Sequence, residues 1–235
     1  MNVNPDNIVI GAGAQLLDTM LVQLLGADKV YAVEDPGYLR LTRIYQAMGC
    51  EVRHIPLDGE GVDLSALQKT GTDILHLMPS HQYPTGAVMT IGRRAELLRW
   101  AEKEPDRYLI EDDYDSEFRY RGKPIPSLQS SDKRGKVIYI GTFSKAIAPA
   151  IRVSYMVLPE SLLEVYRRDC SFYSCTVSRI DQRILNEFIR DGYFERHLNK
   201  MRMHYRAKHD LLLAELEPFK KAFTISGEDA GLHLL

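Results

Sequence analysis

Short hydrophobic runs alternate with helical patterns along most of this sequence. The runs are rich in β-branched residues and lie at 7–10, 29–34, 51–56, 73–78, 108–111, 137–140 and 153–158. Strands separated by helices pair in parallel, because a parallel connection needs a crossover that a helix commonly supplies. The alternation therefore predicts an open α/β sheet, in which ligands bind at the carboxyl ends of the strands.

The run at 137–140 ends in residues that can hold a phosphorylated carbonyl compound. Ser144 and Lys145 follow it, and Arg152 comes seven residues later. A lysine withdrawn from water favours its neutral amine, which can attack a carbonyl carbon. Ser144 and Arg152 can bind phosphate oxygens. These groups match pyridoxal 5′-phosphate (PLP) held as a Schiff base, although a Ser-Lys pair alone is common on solvated surfaces.

Three other strand ends carry features that suit the same ligand. The first run leads through Gly13 and Ala14 into a helix, where free N–H groups suit a phosphate; a turn chosen only for close packing is the alternative. Tyr38 follows the second run, where its ring can stack on a cofactor or pack in the core. Tyr83 lies in a polar turn with two prolines and a glycine, at 79–86.

Acidic residues cluster at the end of the fifth run. The segment 111–115 reads Glu-Asp-Asp-Tyr-Asp, and like charges there repel one another unless a cation is bound. A pyridinium nitrogen beside Asp112 or Asp113 would be such a cation. A magnesium or manganese site and a solvated acidic turn are the alternatives.

Composition narrows the function classes. A net charge of −2 gives no general attraction to nucleic acid or membranes, and no run of eighteen apolar residues spans a bilayer. No Cys or His pair has zinc spacing, and the three cysteines are too few for a disulfide framework, so we expect no metal site and a cytoplasmic protein. The first six residues lack the features of a signal peptide.

The order of these features resembles the fold-type-I PLP-dependent aminotransferases over essentially the whole chain. The segments 34–38, 79–86 and 111–118 are similar to the aminotransferase-like effector domain of MocR/GabR-type transcription regulators of the GntR family. The resemblance implies a three-layer α/β/α large domain with a mostly parallel, seven-stranded sheet at residues 1–192. Residues 193–235 would form a long connecting helix and the start of a truncated small C-terminal domain, with two strand-like pieces at 222–226 and 231–235.

The resemblance also implies site roles. Lys145 would be the Schiff-base lysine and, with Asp112 and Tyr114, would form the catalytic set. Asp112 would pair with the ring nitrogen, with Asp113 as an open alternative, and Tyr114 would reach the phenolic oxygen. Tyr38 would stack on the ring, and Tyr83 stands where the enzymes have asparagine. The phosphate would lie against Gly13, Ala14, Thr142, Ser144 and Arg152.

A ligand-sensing regulator domain is the main functional prediction. It would bind an amino compound or PLP through a Lys145 aldimine, act as a homodimer, and meet DNA only through an N-terminal domain absent from this chain. An aminotransferase that moves an amino group between an amino acid and a keto acid is the alternative. An acidic metal-dependent enzyme using Asp112, Asp113 and Asp115 is the third hypothesis.

Overall fold

A computed structural model describes residues 3–120 and 125–235. Met1 and Asn2, the start of the segment analysed for a signal peptide, lie outside the described residues. The strands are β1 (Ile8–Gly11), β2 (Val30–Asp35), β3 (Glu51–Asp58), β4 (Gly61–Val62), β5 (Ile74–Leu77), β6 (Tyr108–Asp113), β7 (Val137–Thr142) and β8 (Ser154–Val157). The helices are α1 (Ala14–Leu25), α2 (Leu39–Ala47), α3 (Leu64–Leu67), α4 (Ile91–Glu102), α5 (Leu128–Ser131), α6 (Phe143–Ala146), α7 (Glu160–Asp169), α8 (Arg179–Arg190) and α9 (Tyr193–Leu216).

The strands form one sheet in the order β1-β8-β7-β6-β5-β2-β3-β4. The central strands β3, β2, β5, β6 and β7 are parallel, while β8 runs antiparallel to both β7 and β1. The α/β prediction with a mostly parallel sheet is confirmed. The sheet contains one strand more than the seven expected. This additional strand is β4, which has two residues and pairs antiparallel with β3 across a tight turn.

Hydrophobic side chains on the two faces of the sheet fill two separate cores. In β2, Tyr31 and Val33 belong to one core and Ala32 to the other; in β6, Ile110 and Leu109 divide in the same way. Successive side chains of a strand point to opposite faces, so a run apolar at every position needs cover on both. Helices α1, α2 and α7 cover the first face, and α3, α4 and α5 cover the second. The result is the expected three-layer arrangement.

The C-terminal segment differs from the sequence expectation. Residues 222–226 and 231–235 are not strands, although Ser226 and Leu235 exchange backbone hydrogen bonds of 2.8 and 3.1 Å. The segment instead packs against the loop that follows β6: the N–H of Gly231 donates to the carbonyl of Phe118, and the N–H of Tyr120 donates to the carbonyl of Asp229. A division of the chain near residue 192 stays a prediction.

Among the described residues, no helix combines the length and apolar character needed to cross a bilayer.

Candidate active site

The carboxyl end of β7 presents Ser144 and Lys145 on a one-turn helix. Thr142 caps α6, because its hydroxyl accepts a hydrogen bond from the N–H of Ser144 at 3.2 Å. The Thr142 hydroxyl also lies 2.9 Å from that of Ser154 on the neighbouring strand β8, which fixes the turn to the sheet. Lys145 is exposed, so the expectation of a lysine withdrawn from water is not met by the fold of this chain alone.

A glycine turn brings the start of α1 to the same edge of the sheet. Gly13 has φ 103°, a conformation that glycine adopts readily, and it precedes α1 without a side-chain cap. The first N–H groups of the helix therefore have no side-chain partner at the cap position. A Cβ atom on Gly13 would lie 2.1 Å from Nη2 of Arg152, so only glycine lets the guanidinium approach this closely. The turn and Arg152 together form a compact site suited to an anion.

These elements surround one cavity of about 370 Å³. Nine of the ten predicted site residues line it, and the tenth, Gly13, lies against Arg152 as described. The lining residues are Ala14, Gln15, Asp18, Tyr38, Leu41, Met78, Tyr83, Asp112, Tyr114, Thr142, Ser144, Lys145 and Arg152. Five strand ends that are far apart in sequence thus meet at one place.

Two tyrosines form an aromatic side of the cavity. The rings of Tyr38 and Tyr83 meet edge to face, with centroids 5.7 Å apart. Tyr38 comes just after β2 as the N-cap residue of α2, and Tyr83 comes from the turn that follows β5. Offset and edge-to-face ring pairs are favourable arrangements, so the pair offers a preformed aromatic surface to a flat ligand.

A cluster of buried polar residues lies behind Asp112. The Nε2 atom of His76 is 3.7 Å from Oδ2 of Asp112, and its Nδ1 atom is 2.6 Å from the hydroxyl of Tyr45 and 4.0 Å from Oδ1 of Asp18. Glu34 is also buried, and it accepts a hydrogen bond from the N–H of Met78. Oδ1 of Asp18, Oε1 of Glu34 and Nε2 of His76 have no hydrogen-bond partner among the described residues.

Burial and neighbouring charges shift the pKa values of Asp18, Glu34 and His76. Burial has the larger effect on the two acids. It raises the pKa of Asp18 to about 7, with a smaller lowering by His76 and a raising by Asp112. It also raises the pKa of Glu34 to about 7. For His76, burial acts to lower the pKa, but the carboxylates of Asp112, Asp18 and Glu34 together outweigh it and leave the pKa raised. Asp18, Glu34 and His76 therefore all hold protons more tightly than the same groups do in water.

The three aspartates of the acidic segment have different surroundings. Asp112 lines the cavity, whereas Asp113 accepts hydrogen bonds from the hydroxyls of Tyr139 and Ser116 at 2.7 and 2.8 Å. Asp115 bonds to His81 instead. Asp113 also lines a second cavity of about 420 Å³, whose lining within residues 3–120 and 125–235 includes arginines but no lysine. Size therefore does not identify the site, and the two aspartates proposed as alternatives face different spaces.

Sequence reasoning missed the polar residues behind the cavity. Asp18 lies on the buried face of α1, next to Leu17 and Leu21, and His76 lies within the fully buried strand β5. A charged or titratable residue at an otherwise apolar position of a helix or strand was the available signal. Their relation to Asp112 is set by packing between elements and has no pattern in the sequence.

Comparison with known proteins agrees with this geometry. The family model for "Aminotransferase class I and II" matches residues 1–235. An uncharacterized HTH-type transcriptional regulator of Bacillus subtilis, YdeL, is 40% identical over the whole chain. The probable rhizopine catabolism regulatory protein MocR of Rhizobium meliloti is 32% identical over 98% of the chain. The chain spans about half of these relatives, 51% and 47% of their lengths.

A solved structure shows the same fold. Pyrococcus horikoshii kynurenine aminotransferase, determined in complex with PMP, superimposes with a TM-score of 0.84 at 29% sequence identity. The match covers 95% of this chain and 58% of that one. The similarity therefore extends across the sheet and the cavity described above.

Proposed function

Because the chain belongs to the aminotransferase class I and II family, we propose that its 370 Å³ cavity binds PLP, with Lys145 as the residue that forms the covalent bond. The observation that carries the proposal is that Lys145, Asp112, Tyr38 and Arg152 line one cavity although they come from the ends of three different strands, β7, β6 and β2. The same four residue types supply an amine, a carboxylate, a flat ring and a guanidinium, which match the aldehyde, pyridine and phosphate groups of the cofactor.

The residues present fit each part of this cofactor. The uncapped start of α1, with Gly13, and the guanidinium of Arg152 suit the phosphate, together with Ser144 and Thr142. Asp112 suits the ring nitrogen and Tyr38 the ring face, while Tyr114 and Tyr83 bring phenol groups to the same space. A carboxylate beside the ring nitrogen favours its protonated, cationic form, and Asp112 brings a carboxyl group to this space.

PLP supplies an aldehyde that condenses with amines and a ring that withdraws electrons from the bound carbon. This chain's residues do the rest. Lys145 would provide the amine that bonds to the cofactor, and its Nζ atom could hold or move a proton. Asp112 would favour the protonated form of the ring nitrogen, and Arg152 with Ser144 would hold the phosphate.

We infer that the chain is the sensing domain of a transcription regulator. The support comes from YdeL and MocR, which are named as regulators and match 100% and 98% of this chain. In this proposal a small amine or amino acid is the ligand, a second copy of the chain completes a homodimer, and DNA is bound by a separate N-terminal domain. We place the protein in the cytoplasm, in line with its three free cysteines.

Absorbance titration of the purified chain with PLP tests the proposal. We expect a visible absorbance band that saturates, and a pyridoxyl group on Lys145 after borohydride reduction and peptide mapping. Lys145→Ala should abolish both, while Lys103→Ala, at the exposed end of α4, should leave both unchanged. Trapping on other lysines in the wild type, or an unchanged band in Lys145→Ala, would contradict the proposal.

A true aminotransferase is the second candidate, favoured by the match to kynurenine aminotransferase at TM-score 0.84. Amino transfer to keto acids, measured on a chain extended beyond Leu235, separates the two functions. Sustained multiple turnover would establish the enzyme, and binding of amino compounds without turnover would support the sensor.

A further inference from the structure

His81 is buried between two residues of the acidic segment. Its side chain is 1% exposed, and its Nδ1 atom lies 2.9 Å from Oδ2 of Asp115 and 3.0 Å from the hydroxyl of Tyr114. Asp115 is equally buried. Tyr114 lines the cavity of Lys145, but His81 and Asp115 do not. Tyr114 therefore offers a direct hydrogen-bonded link from His81 to the cavity.

The hydrogen-bond roles follow from the chemistry of the pair. An ionised carboxylate can only accept, so the contact with Asp115 requires a hydrogen on Nδ1 of His81. The Tyr114 oxygen lies 3.0 Å from the same nitrogen, so it accepts a share of this one hydrogen in a three-centre hydrogen bond with Asp115. This arrangement leaves the hydroxyl hydrogen of Tyr114 free to point away from His81, into the cavity.

The far side of the imidazole is closed. Nε2 of His81 has no partner among the described residues, and the ring of His233 packs against it with centroids 4.4 Å apart. A Cβ atom on Gly231 would lie 1.8 Å from Cε1 of His81. A buried nitrogen without a partner costs free energy, so packing alone would favour an apolar side chain at this position. The contacts of Nδ1 with Asp115 and Tyr114 offset this cost.

We propose that His81 is a positioning residue for Tyr114: held by Asp115, it directs the Tyr114 hydroxyl so that the phenol donates a hydrogen bond into the Lys145 cavity. The acceptor in the cavity, the phenolic oxygen of PLP, rests on the proposed function. The coupling between His81 and Tyr114 does not depend on it and can be measured in the chain without cofactor.

The first experiment uses fluorine NMR of the full chain labelled with 3-fluorotyrosine. Tyr114→Phe identifies the Tyr114 resonance by its loss. We expect His81→Leu to move this resonance and His81→Asn, which keeps a polar group near the Nδ1 position, to restore it. An unchanged Tyr114 resonance in His81→Leu would overturn the proposal, provided that circular dichroism shows the variant folded.

The second experiment measures PLP affinity in a double-mutant cycle. His81→Leu should weaken binding roughly tenfold, the value of about one hydrogen bond, and should weaken it no further in a Tyr114→Phe background. Equal losses in both backgrounds would mean that His81 acts independently of Tyr114. If the wild type does not bind PLP, the proposed function fails, and the fluorine experiment still decides the coupling.

A metal ion is the rival explanation for this cluster, because ligand atoms of His81, Asp115 and His233 lie within 4.8 Å of one another. Zn²⁺ titration of the chain, with EDTA reversal, tests it. Stoichiometric binding that moves the Tyr114 resonance and is lost in Asp115→Asn would overturn the positioning role. Absence of stoichiometric binding would support it.

Discussion

The Nε2 atom of His76 lies 3.7 Å from Oδ2 of Asp112, at the floor of the cavity that Lys145 lines. Asp18 is 4.0 Å from the other ring nitrogen, so one buried imidazole lies between two carboxyl groups. Charge at Asp112 is therefore coupled to the protonation of His76 and Asp18, and stability should depend on pH through these two residues.

Asp18 should make the folded chain less stable as the pH rises from about 4 to about 7. Burial raises its pKa from 3.8 to about 7, so the folded chain holds a proton that the unfolded chain releases over that range. Asp18→Asn removes this loss and should reduce the fall in the free energy of unfolding between pH 5 and pH 7 by on the order of 2 kcal/mol.

Urea unfolding followed by the fluorescence of Trp100, the single and buried tryptophan, measures this effect. Glu164→Gln on the exposed side of α7 is the control and should leave the pH dependence unchanged. An equal pH dependence in Asp18→Asn and the wild type would show that Asp18 is ionised throughout the range.

Substitutions of Asp112 and Asp113 should have different effects on the affinity for PLP. Asp112→Asn removes the carboxylate that lines the cavity and should weaken PLP binding roughly tenfold or more, with a shifted absorbance band. Asp113→Asn should change PLP affinity by less than about threefold but lower stability, because its carboxylate accepts from Tyr139 and Ser116. The opposite ranking of affinities would make Asp113 the partner of the ring nitrogen.

Gly13→Ala should damage the phosphate site. The added Cβ atom would lie 2.1 Å from Nη2 of Arg152, and φ 103° strains any residue with a side chain. We expect roughly tenfold weaker binding of PLP, measured by absorbance titration. Gly49→Ala is the matched control, since it has φ 85° but open space around its Cβ position, and it should lower stability without changing affinity.

Glu111→Gln should destabilise the chain. The buried carboxylate of Glu111 accepts hydrogen bonds from the N–H groups of Leu128 and Gln129, both at 2.9 Å, and lies 3.7 Å from Nη1 of Arg94. Burial raises its pKa to about 7, so the test belongs at pH 8, where the carboxylate is charged.

A glutamine at position 111 can accept only one of these bonds well, and we expect a loss of about 1–3 kcal/mol in the free energy of unfolding. Urea unfolding of Glu111→Gln beside Glu102→Gln, at the exposed end of α4, measures it. Equal stabilities of the two variants would show that Glu111 does not hold the start of α5.

Local pattern was enough to predict the central architecture. The runs that became β2, β5, β6 and β7 have apolar residues at successive positions, which is stable only when helices cover both faces of a sheet. The long helix expected after residue 192 is α9, which runs from Tyr193 to Leu216. The prediction of strands at 222–226 and 231–235 was wrong. Ser226 and Leu235 exchange two hydrogen bonds, but no further residues of the two segments pair.

By itself, the sequence determined which residue types stand at each strand end: the lysine, the aspartates, the tyrosines and the glycine turn. Parallel strands end at one edge, so their meeting there follows from the fold class. Only the tertiary structure decided which acid faces the cavity, because Asp112 and Asp113 are adjacent and alternate in direction. It alone placed His76 behind Asp112 and His81 behind Tyr114, since contacts between distant elements depend on packing distances of a few ångströms that no local pattern encodes.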